Sequence, residues 1–278
     1  MSSSSSWTEH GSMASPLPAF QRLSPSATSP PMTVVSVTFR SAAMGRNVSY
    51  QALVPASDGP PPAVVLQLHG YGDDHHSWLT YSNIARHANA HRLLIVFPDG
   101  GSSGYLNYRS HERRGLQRYE DLLVDDLAAN IAKTFRAADG PWGIGGLSMG
   151  GYGAMRLGMR YPERFASIWA HSGSFGEITG MDQFAESEDL SVAQVAATLA
   201  ERTHRPVISF DCGTEDFLLD ANRAFHAYLD ELEIAHQYQE HPGGHEWDYW
   251  DRHVGAALAQ HDGVLNPPAA GRNVLAAN

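Results

Sequence analysis

Three residues in one chain order carry the chemical interest: Ser148, Asp216 and His245. Ser148 is the centre of Gly146-Leu147-Ser148-Met149-Gly150, a G-x-S-x-G run inside GGLSMGGYGAM. A serine hydroxyl is a poor nucleophile until a neighbouring base takes its proton. G-x-S-x-G is the turn that presents such a serine between a strand and a helix, with small residues making room for the sharp bend. In a chain with 26 glycines the pattern alone says little, so its surroundings decide. PWGIGGLS before it reads as a short buried strand, and GGYGAMRLGMRYPER after it as a helix stopped by Pro162. The competing reading is a structural glycine turn. A phosphate loop fits less well, because no Lys-Ser/Thr pair follows Gly150.

Fifteen histidines make any single one a weak candidate for the base. His245 stands out because it lies in HPGGHEWDYW, a glycine loop after the last expected strand, with His241 as runner-up. His69, His75, His76, His111 and His171 read as surface or supporting groups. The orienting acid comes from DCGTEDF, which offers Asp211, Glu215 and Asp216. Asp216 is preferred, Glu215 is second, and two of the three are expected to be solvated. Serine, acid and histidine then follow in the order of an α/β-hydrolase. Such a group attacks a carbonyl carbon and passes through an acyl-enzyme. Two backbone donors are needed for the oxyanion: the N–H of Met149 and that of Tyr71, with Gly72 nearby in HGYG. No metal and no organic cofactor are expected. His69, His75 and His76 with Asp73 and Asp74 form a poor metal set, since adjacent histidines on a loop rarely converge. Tyr71, Tyr105, Tyr108, Trp247 and Trp250 read equally as pocket lining and as core.

The elements that must position these residues are legible as hydrophobic runs. TVVSVTFRS and NVSYQALVP alternate and predict an antiparallel hairpin joined at AAMGR. AVVLQLHG (63–70) and RLLIVFPDG (92–100) predict strands buried on both faces. SWLTYSNIARHANAH between them predicts one helix with Trp78, Ile84 and Ala88 inward. GSSGYLNYRSHERRG reads as a polar loop. Residues 119–135 have apolar positions at 122, 123, 127, 131 and 135, a helical period. FASIWAHSG, RPVISFDCGTED and AHQYQEHPGGHEW supply further strands and loops, DANRAFHAYLDELEI and WDYWDRHVGAALAQH further helices, and 177–203 an irregular helical cap. Strands alternating with helices from 63 to 260 call for α/β architecture: a mainly parallel central sheet with helices on both faces.

On this reading, residues 1–31 are a disordered Ser/Pro-rich segment whose native origin is left open. Residues 32–262 form a single catalytic domain and 263–278 a loose tail. The net charge of −11 and the lack of a basic stripe argue against nucleic acid. No apolar run is long enough to span a membrane. One cysteine, Cys212, permits no internal disulfide. No signal-like apolar segment is visible, so the expected compartment is cytoplasmic, with secretion open if the N-terminus was altered. A homo-oligomer is left open.

LQLHGYGDDHHSW, GGLSMGGYGAMRLGMRYPERFA, CGTEDF and PGGHEWDYW together resemble the putative esterase family. That family groups esterase D and S-formylglutathione hydrolases, tributyrin-type esterases, feruloyl and acetylxylan esterases, and mycolyltransferases. The resemblance implies an α/β-hydrolase fold and a small-molecule ester substrate. It also implies a triad of Ser148, Asp216 and His245, with Tyr71 and Met149 as oxyanion donors. S-formylglutathione hydrolases carry a cysteine-containing segment where this chain has HGYGDD, and the secreted members carry signal peptides. The small bacterial carboxylesterases, with short acyl groups, are therefore the better match. A thioesterase, an acyltransferase, a feruloyl-type esterase and a non-catalytic binding module are the alternatives.

Overall fold

A computed structural model describes residues 32–56, 59–113, 115–176, 185–187 and 190–267. β1 (Thr33–Arg40) and β2 (Asn47–Val54) form the expected antiparallel hairpin, Thr33 opposite Val54 and Arg40 opposite Asn47. β2 lies antiparallel on β4 (Leu93–Pro98). From β4 onward the strands are parallel: β3 (Ala63–Leu68), β7 (Trp142–Leu147), β8 (Phe165–His171), β9 (Val207–Gly213) and β10 (His236–His241). The eight-stranded order is β1-β2-β4-β3-β7-β8-β9-β10.

Strand side chains alternate between the two faces of a sheet, and that alternation sorts the apolar runs into two cores. Val64, Leu66 and Leu68 of β3 join Leu94 and Val96 of β4 on one face. Helices α5 (Met149–Arg160), α6 (Val192–Ala200) and α7 (Leu219–Glu231) cover that face with Met155, Leu157, Val195, Leu199, Phe225 and Leu229. Ala63 and Val65 join Leu93, Ile95 and Phe97 on the other. There α1 (Ser77–Tyr81), α2 (Ile84–Ala88) and α8 (Trp247–Leu265) contribute Trp78, Ile84, Ala88, Trp250, Val254 and Leu258. Every residue of β3 and β4 is buried, the single polar one, Gln67, included, as their otherwise apolar sequences require.

Several expectations are corrected. The helix expected over 77–91 is two short helices, because Ser82 is extended and Asp251 holds both the backbone N–H and the side-chain amide of Asn83 at 2.6 Å. The expected polar loop contains a two-stranded hairpin, β5 (Asn107–His111) and β6 (Gly115–Arg118). The helix of 119–135 runs as α3 (Tyr119–Asp121), a π-helical stretch (Leu122–Leu127) and α4 (Ala128–Thr134). α8 continues through Leu265, into the segment expected to be a tail. Of the expected cap, residues 177–184 and 188–189 lie outside the described residues. Its described helix, α6, packs on α5 and α7 within the helical layer and is tied down by a bond from the Tyr152 hydroxyl to the Leu190 carbonyl (2.6 Å). Residues 1–31 and 268–278 also lie outside the described residues.

The chain leaves β3 for β4 on one side and later returns to β7 on the other. The loops after β3 and β7 therefore diverge at the sheet's C-terminal edge, which opens a crevice there. Behind that edge α8 presses a fully buried imidazole, His261, onto β7; a Cβ on Gly143 would lie 2.8 Å from its Nδ1, which bonds to Ser167 Oγ at 2.8 Å. Burial pushes this imidazole down to about 3, helped by His171.

The sign of the consequence follows. The unfolded chain takes up a proton near pH ~6.5 that native His261 refuses. Stability is fully present above that pH and falls by up to about 1.4 kcal/mol per pH unit until the native ring protonates. Urea denaturation of wild type and His261→Leu between neutral pH and about pH 4.5 checks this. The slope should be shallower in the variant, whatever its stability at neutral pH, and equal slopes refute the assignment.

Candidate active site

β7 ends at Leu147 and α5 begins at Met149, so Ser148 is the single residue of the turn. Its backbone sits at φ 53°, ψ −117°, a left-handed conformation costly for a side chain with a Cβ. Neighbouring backbone holds it there: Ser148 N–H donates to the His171 carbonyl (2.9 Å), and Ser174 N–H donates to the Ser148 carbonyl (3.1 Å). Space is equally constrained. A Cβ on Gly146 would lie 2.5 Å from the Gly150 carbonyl oxygen, and one on Gly150 would lie 2.5 Å from that of Leu68. The glycines are where backbone meets backbone, while the side chains of Leu147 and Met149 are buried in the two cores.

His245 follows β10 and brings Nε2 to 2.9 Å from Ser148 Oγ. Its Nδ1 faces both oxygens of Asp216, at 3.1 and 2.8 Å. An ionised carboxylate only accepts, so Nδ1 carries the proton and Nε2 offers its lone pair to the serine hydroxyl. The loops bearing these residues are fastened together. Glu215 N–H donates to the Gly243 carbonyl (2.9 Å), Thr214 N–H to that of His241 (2.8 Å), and a Cβ on Gly213 would meet the Gly243 oxygen at 2.2 Å. Burial pushes the Asp216 carboxyl up, but bonds from His245, the Leu218 N–H (2.8 Å) and the Ser172 hydroxyl outweigh it and hold the group below the usual carboxylate range.

The other candidates separate cleanly. Glu215 is exposed, on the same turn as Asp216. Asp211 is fully buried rather than solvated, taking bonds from Trp169 Nε1 (2.6 Å), His171 Nδ1 (2.8 Å) and the Tyr249 hydroxyl (2.9 Å). His241 stacks on His253 at 4.2 Å and meets Gln239, away from the serine. Met149 opens α5, so its N–H is one of the helix's N-terminal donors without an intrahelical acceptor. Tyr71 follows Gly70, whose added Cβ would lie 3.7 Å from Ser148 Cβ; the Tyr71 ring itself is 71% exposed. Tyr105 and Trp250 are buried and belong to the core. Asp74, His75 and His76 offer ligand atoms within 4.8 Å of one another, although Asp74 already accepts the His76 N–H at 2.7 Å.

Two residues, Phe217 and Ser172, escaped the sequence reading, and His69 is one of the histidines expected as surface or supporting groups. Phe217, 77% exposed, lies beside the His245 ring at 4.5 Å. Ser172, fully buried at φ 47°, accepts from Trp250 Nε1 (3.2 Å) and turns its hydroxyl to Asp216. His69 accepts the Gly100 N–H on Nε2 (2.9 Å), so its Nδ1 must donate to the Gly70 carbonyl (2.8 Å), bracing the loop before Tyr71. Phe217 adjoins Asp216 in sequence, whereas a buried serine with left-handed backbone leaves no mark in the pattern.

The family model described as "Putative esterase" matches residues 41–261. An acetyl esterase of Caldicellulosiruptor saccharolyticus is 25% identical over 82% of this chain and 97% of its own length. Esterase Rv1288 of Mycobacterium tuberculosis is 27% identical over 74% of this chain, which spans only 54% of that protein. Among solved structures, an S-formylglutathione hydrolase from Agrobacterium tumefaciens superposes with a TM-score of 0.74 at 21% identity, covering 86% of this chain and 97% of that one. A fluorophosphonate-binding serine hydrolase of Staphylococcus aureus gives 0.70 at 24% identity over 83% and 98%.

The close approach at Gly150 has a measurable consequence. Gly150→Ala must push α5 away from the Leu68 carbonyl, an overpacking cost of about 1–3 kcal/mol. That corresponds to a fall in melting temperature of roughly 2–12 °C for a domain of this size. Calorimetry checks it; an unchanged melting temperature would show that the turn has slack.

Proposed function

The chain belongs to the putative esterase family, and from that premise we propose that it is a serine carboxylesterase acting on small esters with short acyl groups through Ser148, His245 and Asp216. One observation carries the assignment of roles: an unbroken line from Ser148 Oγ to His245 Nε2 (2.9 Å) and from His245 Nδ1 to Asp216 (2.8 Å). The similarity to an acetyl esterase over nearly the whole of that protein supports the short acyl group.

His245 Nε2 removes the hydroxyl proton as Ser148 Oγ attacks the ester carbonyl carbon. Asp216, ionised and buried, keeps the proton on Nδ1 and stabilises the imidazolium that forms. The oxyanion is held by the N–H groups of Met149 and Tyr71, the first reinforced by the positive end of α5. The imidazolium then protonates the leaving alcohol, and water repeats the sequence on the acyl-enzyme. The exposed rings of Tyr71 and Phe217 flank the approach and supply apolar surface for the substrate.

The test is hydrolysis of p-nitrophenyl acetate, butyrate and octanoate. Ser148→Ala should lower kcat by about 10⁶ while leaving the melting curve in place; substantial residual turnover would overturn the reading. Asp216→Asn should cost up to about 10⁴ by favouring the wrong tautomer, and Glu215→Gln should cost far less. Wild type that ignores all three esters and turns over S-formylglutathione would replace the ester by a thioester with the same residues.

A further inference from the structure

A second cluster of reactive side chains lies at the other end of the sheet. His226 and Asp230 are one turn apart on α7, and His236 is the first residue of β10. One ligand atom from each lies within 4.8 Å of the other two. His245 follows the C-terminal end of β10, so this cluster and the Ser148 crevice sit at opposite ends of the same strand. None of its residues has a part in the acyl-transfer chemistry.

The two imidazoles meet nitrogen to nitrogen, His226 Nδ1 to His236 Nε2 at 2.7 Å. His236 Nδ1 must donate to the Ile234 carbonyl at 2.7 Å, since that oxygen only accepts. Its Nε2 therefore carries a lone pair aimed at His226. Such a backbone bond on the far nitrogen is how a ligating histidine has its tautomer and ring plane set. The ring cannot easily turn away: the His236 side chain is 3% exposed and stacks on Phe210 at 5.8 Å. The Asp230 carboxylate completes the group, 3.7 Å from His226 Nε2 and 4.0 Å from His236 Nε2. It is 65% exposed and free to swing. Ligands about 2 Å from one ion lie at most about 4 Å apart, so the cluster needs only a small side-chain adjustment to close.

We propose that His226, Asp230 and His236 form a binding site for a divalent transition metal, zinc foremost, that pins the end of α7 to the edge strand β10. Two imidazole nitrogens and one carboxylate suit a borderline ion and do not suit calcium or magnesium, which take oxygen ligands. On binding, neutral His226 gives up the Nδ1 proton that bridges the pair and takes one from solvent on Nε2, so the ring stays neutral, and the ion takes the lone pairs of His236 Nε2 and His226 Nδ1. The fourth position stays open to water. Because the ion links two elements that only the folded chain brings together, its binding adds to folding stability.

The experiment is calorimetric titration of zinc into chelator-treated full chain, with melting curves. Wild type should bind one zinc at this site, more weakly at about pH 5.5 than at about pH 7.5, because the ligands must shed protons. His226→Ala and Asp230→Asn should each weaken binding at least about tenfold, the least that even an outer-sphere change costs. Zinc should raise the melting temperature of wild type but not of His226→Ala, whose metal-free melting curve shows that it folds. His76→Ala, which breaks the Asp74-His75-His76 cluster, should leave this binding intact. No binding by wild type, or binding that survives His226→Ala or is abolished by His76→Ala, would overturn the proposal and leave a hydrogen-bonded histidine pair.

Discussion

The backbone contact between the Ser148 turn and the end of β3 is the constraint on which the site depends. With hydrogen at the Cα of Gly146 and Gly150, α5 starts directly against the Leu68 and His69 carbonyls. That proximity brings three things into one crevice: the serine hydroxyl, the first N–H groups of α5 and the loop that carries Tyr71. The left-handed backbone of Ser148 is a cost of roughly 1–3 kcal/mol for an ordinary residue in such a region. It is borne because hydrogen bonds from β8 and the loop after it leave the serine no other conformation.

Two buried carboxylates, five residues apart, show how surroundings divide labour. Asp211, at the end of β9, is saturated by Trp169, His171 and Tyr249, and its hydrogen bonds knit β8, β9 and α8 together. Burial pushes its carboxyl up, yet those donors hold it below the usual range, and its hydrogen bonds are spent on strands and helix rather than on His245. Asp216 lies beyond the strand end, on a turn clasped to the Gly243 loop, and keeps both oxygens toward His245. Ser172 and Trp250 link the two regions: the indole that flanks the His245 ring at 5.0 Å also donates to the serine that faces Asp216.

The parts legible in the sequence are those governed by short-range periodicity. Buried strands announce themselves as AVVLQL and LLIVFP, and the hairpin of β1 and β2 as alternation. The positions of Ser148, Asp216 and His245 were readable because each must follow a strand of a parallel sheet, where functional groups gather. What stayed hidden depends on partners far along the chain. The break after Tyr81 is imposed by Asp251, 168 residues from Asn83. The burial of Asp211 requires Tyr249, 38 residues on, and His171, 40 residues back. The β5–β6 hairpin escaped because its residues are mostly polar, with Tyr108 and Leu116 alone too few to show alternation. The resemblance to known esterases worked at another level, since it compares whole motif sets rather than local energetics.

The same distinction separates the chemistry from its selectivity. Ser148, His245 and Asp216 are each fixed by strand ends, close backbone contacts and at least one further hydrogen bond, the kind of rigid support that the proposed acyl transfer requires. The residues that would meet the two sides of an ester are of another kind. Tyr71 and Phe217 project into solvent from loops, with little packed against their rings. Loops on a rigid sheet change without disturbing the frame beneath. A single frame can therefore carry different surfaces around the same three hydrogen-bonded residues, and in this chain the exposed rings of Tyr71 and Phe217 belong to that variable layer rather than to the frame.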